Sequence, residues 1–302
     1  MAEVREDEVV DRAGNGAREN ATLTPEEGRL AGDVYYRHWP PLGQARGVIL
    51  LVHGLGEHSG RYQGFADYLC PRGFAVVAPD HPGHGESPGT RSHIDRFEDF
   101  FPPLDKLGAA IARWYPDLPR FLVGHSMGGL IAARYLLDHQ RQFAGAAFSG
   151  AALAVPDSPP KILLWINRLL SRLFPRLGLM QLDASEVSRD PEVVRAYRDD
   201  PLVHDGKVSA RLVNELFRTM GEVEARRAEL VLPVLVMHGE ADVMTAASGS
   251  AAFHAGIGST DKTLCLYPGL YHEIFNEPER LEVLEELADW LERRCGEAVA
   301  GT

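Results

Sequence analysis

Short apolar runs of strand length alternate with helical patterns along most of this chain, and this alternation strongly limits the fold. The strand-like runs are rich in Val, Leu, Ile, Ala and Phe, and they comprise residues 47–52, 74–78, 121–124, 144–149, 234–237 and 263–267. Between the runs, apolar residues recur at helical spacing, as at Tyr62, Phe65 and Leu69. Strands that alternate with helices form a mainly parallel sheet with helices on both faces. The sequence therefore predicts an α/β fold.

One long segment, residues 151–230, breaks this alternation. It contains no convincing buried strand but several helical patterns, among them residues 162–174, 193–197 and 208–220. Helices inserted between two strands of an α/β sheet lie over the strand ends, where ligands bind. We predict a helical cap over the functional site. The alternative is an extra helical layer that has no part in binding.

The remaining segments follow from length and composition. A chain of 302 residues can bury a sizeable core. Residues 1–22 are polar and charged and predict a disordered tail without the apolar region of a secretory signal. Residues 23–150 and 231–296 are assigned to the α/β core. No run of about 18 apolar residues is present that would predict a membrane-spanning helix.

Charge and cysteine content exclude several classes of function. The net charge of −12 argues against a nucleic-acid-binding protein, which would carry basic clusters. The three cysteines are scattered and lack the spacing of a zinc site or a disulfide framework. We therefore expect a protein of the cytoplasm. We also expect that it needs neither a metal nor an organic cofactor. The oligomeric state is left open.

The pattern G-x-S-x-G stands at the end of one strand-like run, as Gly124, Ser126 and Gly128. A helical stretch begins at Met127, so the serine falls on a strand-to-helix turn, which is the context that this motif requires. Such a turn holds the serine in a tight backbone conformation that only small neighbours tolerate, and its hydroxyl projects from the end of the sheet. Ser126 is therefore the candidate nucleophile.

A nucleophilic serine needs a histidine to take its proton and a carboxylate to orient that histidine. On this architecture the chain order is Ser, then the acid, then His. Asp242 and His272 each lie just beyond the carboxyl end of a later strand-like run, so they are the candidate acid and base. Glu240 on the same loop is an alternative acid. Asp80, which ends an earlier strand, is expected to order its loop instead.

Negative charge on the substrate oxygen must be stabilised when the serine adds to a carbonyl. Two backbone N–H groups do this on such folds, one from the residue after the nucleophile and one from the loop after an early strand. Here these groups belong to Met127 and Leu55. The glycines on both sides of Leu55 allow the backbone to approach a substrate, although a plain glycine-rich turn would look the same.

These residues together resemble the α/β-hydrolase superfamily and, more narrowly, the monoacylglycerol lipase and lysophospholipase-like group of serine hydrolases. The resemblance extends from about Gly28 to about Arg294. Its most specific motifs are HGLGEHSGRY at 53–62, GHSMGG at 124–129, SRDPEVV at 188–194, DPLV at 200–203, GEAD at 239–242 and YHE at 271–273. It implies an eight-stranded, mostly parallel sheet with a helical cap. It also implies hydrolysis of single-chain acyl esters by Ser126, Asp242 and His272.

The resemblance also indicates where a substrate would bind. It places Glu57 and Arg61 near the polar end of the pocket, where a glycerol head group would be held; a loop hydrogen bond and a surface ion pair are their alternative roles. His125, on a loop that converges on the site, is included as a lining residue. Two departures bear on head-group preference: Leu55 replaces a smaller residue of the mammalian lipases, and Phe275 replaces a histidine.

The cap has its own chemistry. Its first helical pattern is apolar on more than one face but is interrupted by Arg168, Arg172 and Arg176. Such a helix can contact a membrane or micelle surface while the arginine heads stay in water, and it can equally be a buried helix with solvated arginines. Other functions that the sequence leaves open are a lysophospholipase, a carboxylesterase, an acyltransferase, a proline-type aminopeptidase and a non-catalytic ligand receptor.

Overall fold

The computed structural model describes residues 22–31, 33–155 and 160–300. Apart from residue 22, the predicted disordered tail lies outside these ranges. Within them, eight strands form one sheet in the order β1-β2-β4-β3-β5-β6-β9-β10. The strands are β1 Glu26–Leu30, β2 Val34–Trp39, β3 Gly47–Val52, β4 Phe74–Pro79, β5 Arg120–His125, β6 Gly145–Ser149, β9 Val234–Gly239 and β10 Lys262–Tyr267.

The sheet is mostly parallel, as predicted. The β2 strand pairs antiparallel with β1 and β4, whereas every pairing from β4 to β10 is parallel. The six strands of this sheet that follow β2 in the chain match the predicted runs. No apolar run in the sequence predicts the β1–β2 hairpin, because β1 is an edge strand of mostly polar, partly exposed residues.

Helices cover both faces of the sheet, and further helices lie in the segment between β6 and β9. In the described residues the α-helices are α1 Gln63–Leu69, α2 Phe101–Trp114, α3 Met127–His139, α4 Lys161–Leu173, α5 Pro191–Asp199, α6 Ala210–Arg226, α7 Ala247–Gly256 and α8 Arg280–Ala300. Alternate residues of β3 point to opposite faces: Leu50 belongs to the core cluster that contains residues of α2, α3, α6 and α7, while Leu51 belongs to the cluster that contains residues of α1 and α8. A strand with both faces buried reads as an unbroken apolar run, which is why β3 was found from the sequence.

The segment predicted as a cap lies between β6 and β9. It contains α4, α5 and α6, and also two short antiparallel strands, β7 Gly178–Met180 and β8 Val208–Ser209. The prediction of helices alone was therefore incomplete, because strands this short leave no periodic pattern. Ser209 accepts a hydrogen bond from the Leu212 N–H at 3.2 Å and caps α6, so this helix begins after Val208 and not at it. In the part of the chain that the structure describes, no helix is long and apolar enough to cross a membrane.

Candidate active site

Ser126 lies between the last residue of β5 and the first residue of α3, on the predicted turn. Its backbone has φ 54° and ψ −122°, a conformation that a residue with a side chain rarely adopts. A Cβ at Gly124 would lie 2.5 Å from the Gly128 carbonyl oxygen, and one at Gly128 would lie 2.0 Å from the Val52 carbonyl oxygen. The two glycines therefore allow the strand and the helix to pack closely enough to present the serine.

The loop after β3 packs directly against this serine. A Cβ at Gly54 would lie 3.1 Å from the Ser126 Cβ. The next residue, Leu55, lines the same apolar cavity as Ser126 and Met127. Because Met127 is the first residue of α3, its N–H has no acceptor within the helix. The structure therefore brings both predicted oxyanion-binding residues to the nucleophile.

The buried side chain of His53 stabilises this loop through hydrogen bonds. The His53 Nδ1 lies 2.8 Å from the Gly54 carbonyl oxygen, and the His53 Nε2 accepts a hydrogen bond from the His81 N–H at 3.0 Å. Burial holds the pKa of His53 well below its ordinary value, so the ring is neutral and can donate at one nitrogen while it accepts at the other. The loop at Gly54 is thus held by side chains as well as by its own backbone.

The structure joins the candidate acid and base. The His272 Nδ1 lies 2.7 Å from the Asp242 Oδ2, and both side chains are buried. His272 also lines a small hollow together with Ser126. Glu240 is exposed, and Asp80 accepts hydrogen bonds at 2.8 Å from the Ser59 and Glu86 N–H groups, so neither contacts His272 in this arrangement.

Asp242 and His272 each stabilise the charged form of the other. Burial alone would lower the pKa of His272, but the charge and hydrogen bond of Asp242 raise it above its ordinary value, with smaller contributions from Glu273 and Glu57. Burial alone would raise the pKa of Asp242, but the His272 charge and several hydrogen bonds hold it well below its ordinary value. Asp242 is therefore a carboxylate that favours a positive charge on His272.

His125 lies next to this histidine. Its ring centroid is 4.8 Å from that of His272, and its Nδ1 is 3.1 Å from the Ser149 carbonyl oxygen. Burial lowers the pKa of His125 to about 3, so the ring is neutral near pH 7. It lines the same hollow as Ser126, but it is the last residue of β5 and not part of a loop as predicted; a contact with substrate stays a prediction.

A buried ionic cluster forms the polar side of the hollow. The Arg61 guanidinium donates to the Glu57 Oε2 at 3.1 Å and to both oxygens of Glu273, at 2.5 and 2.8 Å. It also stacks on Tyr197 of α5, with 4.6 Å between the guanidinium carbon and the ring centre. The Arg61 side chain is only 9% exposed, so the alternative of a surface ion pair is wrong.

Glu273 belongs to this cluster, although the sequence did not assign it a role. It follows the candidate base directly, and its carboxylate completes the pairing of Arg61. Burial raises the pKa of Glu57, and Arg61 only partly offsets this, whereas Arg61 holds the pKa of Glu273 below its ordinary value. With both carboxylates ionised the three side chains sum to one negative charge.

Two cavities meet at the serine, one polar and one apolar. The polar hollow is lined by Glu57, Glu273 and His125, and Phe275 closes a neighbouring hollow beside the same three residues. The apolar cavity, of about 100 Å³, extends from Ser126 toward the cap. Its lining is Leu55, Met127, Ala152, Val155, Met180, Leu182, Val213, Leu216, Phe217, Met220, Met244 and Thr245. A molecule with one polar and one apolar end fits this arrangement.

The sequence and the fold are similar to those of known hydrolases. The model of a family of α/β-hydrolases, described as serine aminopeptidase, S33, matches residues 43–279. The chain belongs to this family. The resemblance predicted from the motifs is thereby confirmed, and so is the α/β-hydrolase fold. The family's description does not by itself select a substrate, because related members carry lipase names.

Curated relatives are similar over most of their length. A monoacylglycerol lipase of Mycolicibacterium smegmatis is 39% identical over 258 residues, which cover 85% of this chain and 92% of that protein. A monoglyceride lipase of Mus musculus is 34% identical over 271 residues, which cover 89% of each chain. The crystal structure of a Paleococcus ferrophilus monoacylglycerol lipase matches with a TM-score of 0.79 and 35% identity, over 86% of this chain and 99% of that one. This member of the hydrolase family thus aligns with lipases along nearly the whole core.

Proposed function

We propose that this protein is a serine hydrolase that cleaves the ester of monoacylglycerol-like lipids to a fatty acid and glycerol. The observation that carries the proposal is the position of Ser126. It lies on the elbow turn, between an apolar cavity and a polar cluster, and it shares a hollow with His272, which in turn pairs with Asp242. The similarity to monoacylglycerol lipases over most of the chain supports the same substrate class.

The proposed reaction follows from these groups. His272 takes the Ser126 hydroxyl proton as the oxygen attacks the ester carbonyl, and the N–H groups of Leu55 and Met127 stabilise the oxyanion. The protonated His272 then gives its proton to the departing glycerol oxygen, which leaves an acyl-enzyme. Water adds to that ester with His272 again as base, and its collapse releases the fatty acid and restores Ser126.

The polar cluster supports a neutral head group. Arg61 is paired with both Glu57 and Glu273, so the cluster is neutral with one carboxyl protonated and negative with both ionised. In neither state does it offer an unpaired positive charge to a phosphate. Hydroxyl groups can donate to carboxylates and accept from N–H groups, so a glycerol head group is compatible with this surface.

A substrate series tests this function. We expect kcat/KM for a long-chain monoacylglycerol to exceed that for the matching lysophosphatidate about tenfold or more, because a phosphate monoester would lie beside buried carboxylates. The measurement is fatty-acid release from both lipids, with p-nitrophenyl acetate and prolyl p-nitroanilide as further substrates. Preferred cleavage of the lysophospholipid, the acetate or the nitroanilide would assign the enzyme to the lysophospholipases, the short-chain esterases or the aminopeptidases.

We further propose that the cap contacts a lipid surface. Ten large apolar side chains of the cap are exposed and form what we term the cap patch: Ile162, Leu163, Trp165, Ile166, Leu169, Leu173, Phe174, Leu177, Leu179 and Met180. On α4, Asn167 and Ser171 are buried and Leu164 and Leu170 are half-buried, while the other large apolar residues are exposed, which is unusual for a surface helix. The nearby Arg168, Arg172 and Arg176 are exposed and suit the phosphates of a lipid surface.

Vesicle binding tests the cap patch. The double variant Trp165→Asp, Leu169→Asp should reduce co-sedimentation with phosphatidylcholine–phosphatidylglycerol vesicles about tenfold or more, since it removes two large apolar side chains from the contact. Leu281→Asp is the matched control, because Leu281 on α8 is as exposed as Trp165, at 60%. Unchanged sedimentation of the double variant, or equal loss in the control, would contradict a role of the cap patch.

A further inference from the structure

We infer that His238 is a positioning residue that orients the Asp242 carboxylate toward His272. This inference rests on the proposed function, in which Asp242 and His272 are the acid and base. His238 lies near the end of β9 and is completely buried. Its Nε2 is 3.0 Å from the Asp242 Oδ2, the oxygen that lies 2.7 Å from the His272 Nδ1. The carboxylate thus lies between two histidines.

The other hydrogen bonds of Asp242 leave one acceptor site of its carboxylate unused, and His238 can donate to this site. The Oδ1 accepts from the N–H groups of Met244 at 2.8 Å and Thr245 at 3.0 Å. The Thr245 hydroxyl is 2.8 Å from the Oδ2 and 2.9 Å from the Gly150 carbonyl oxygen, but it has only one proton to donate. When this proton goes to Gly150, the Oδ2 takes its two donors from the histidines, and all of about four lone-pair sites of the carboxylate are used.

The environment of His238 assigns its tautomer. An ionised carboxylate only accepts hydrogen bonds, so the proton of His238 that faces Asp242 is on Nε2. The Nδ1 can then accept from the Ser250 Oγ of α7, which lies 2.7 Å away. Ser250 is completely buried as well, so water does not compete for this contact. A chain of hydrogen bonds therefore runs from Ser250 through His238 to the Asp242 Oδ2, the oxygen that also contacts His272.

The hydrogen bonds from Ser250 through His238 to Asp242 affect the reaction in two ways. They hold the Oδ2 in line with His272, and they draw part of the carboxylate charge toward His238. The groups that face His272 are Asp242 from the loop after β9, His125 from β5, and Glu57 and Glu273 with their shared Arg61. Without His238, the Asp242 charge acts on His272 alone and the pKa of His272 rises. The Thr245 hydroxyl, which is 2.8 Å from the Oδ2, can then donate its proton to this oxygen in place of the Gly150 carbonyl.

Steady-state kinetics on the full chain test this role, with a monoacylglycerol as substrate. His238→Leu keeps the volume but removes both hydrogen bonds. We expect kcat to fall about 10- to 100-fold with little change in KM, the range of one charge-assisted hydrogen bond. The acid limb of the kcat/KM profile should move to higher pH. His238→Gln can place an amide N–H near the former Nε2 and should restore kcat to within about threefold of wild type.

The outcomes separate this inference from the proposed function. If the wild-type protein has no esterase activity, the proposed function fails. If the wild type is active but His238→Leu keeps its kcat and pH profile, only the positioning role fails. Equal losses in His238→Leu and His238→Gln with an unmoved acid limb would show a merely structural role and would also overturn it. Should the Leu variant not fold, His238→Asn, which is too short to reach Asp242, takes its place against His238→Gln.

Discussion

Ser126→Ala is expected to lower kcat for ester hydrolysis by about 10³- to 10⁶-fold, because no other group then forms the acyl-enzyme. The fold and the binding of substrate should persist, since alanine has the smaller side chain and Ser126 lines a hollow. Single-turnover fatty-acid release measures the rate, and labelling with a fluorophosphonate followed by peptide mapping shows whether the reagent still attaches.

A matched control for this change is Ser185→Ala. Ser185 lies in a short exposed turn of the cap, where it bonds to Asp183. It should keep wild-type activity and labelling. Substantial esterase activity in Ser126→Ala, or labelling that disappears in the control variant, would place the nucleophile elsewhere.

The second large effect is expected for Asp242→Asn, with a loss in kcat of about 10⁴-fold. An amide at this position can present an N–H to the His272 Nδ1, which favours the imidazole tautomer with its proton on the wrong nitrogen. The base must be unprotonated to accept the serine proton, so activity falls as pH drops through the pKa of His272. In the wild type this pKa lies above its ordinary 6.5, and the acid limb of kcat/KM should therefore lie above that pH.

Loss of the Asp242 charge removes the main cause of this elevation. In Asp242→Asn the acid limb should move to lower pH, opposite to the shift expected for His238→Leu. Glu240→Gln is the control, because Glu240 shares the loop but is exposed. A large loss in Glu240→Gln with little in Asp242→Asn would exchange the roles of the two acids. A pH profile that does not respond to Asp242→Asn would contradict the coupling of Asp242 to His272.

Much of the fold and of the site could be predicted because local signals and topology agree. Buried parallel strands such as β3 and β9 are unbroken apolar runs, and they stand out from helical patterns. Parallel strands end at the same edge of the sheet, so residues just beyond them converge even when they are far apart in the chain. This is why Ser126, Asp242 and His272 could be selected by their position after strands, and why the structure places them together.

Other features carry no local pattern. Glu273 pairs with Arg61, which is far away in the sequence, and His238 contacts Asp242, which is four residues away. A glutamate on a loop or a histidine in a strand looks the same in the sequence with or without such a partner. The adjacency of Glu273 to the candidate base was the one available signal. The β1 edge strand and the β7–β8 pair were missed because exposed or very short strands lack a hydrophobic period.

Glu57 belongs to two parts of the site at once. Its Oε1 accepts from the Gly54 N–H at 2.5 Å and from the Tyr62 hydroxyl at 2.8 Å, while its Oε2 pairs with Arg61. One carboxylate therefore connects the loop proposed to stabilise the oxyanion to the cluster proposed to face the leaving alcohol. A leaving group that disturbs the cluster also disturbs the loop. Discrimination between head groups should therefore appear in kcat and not only in KM.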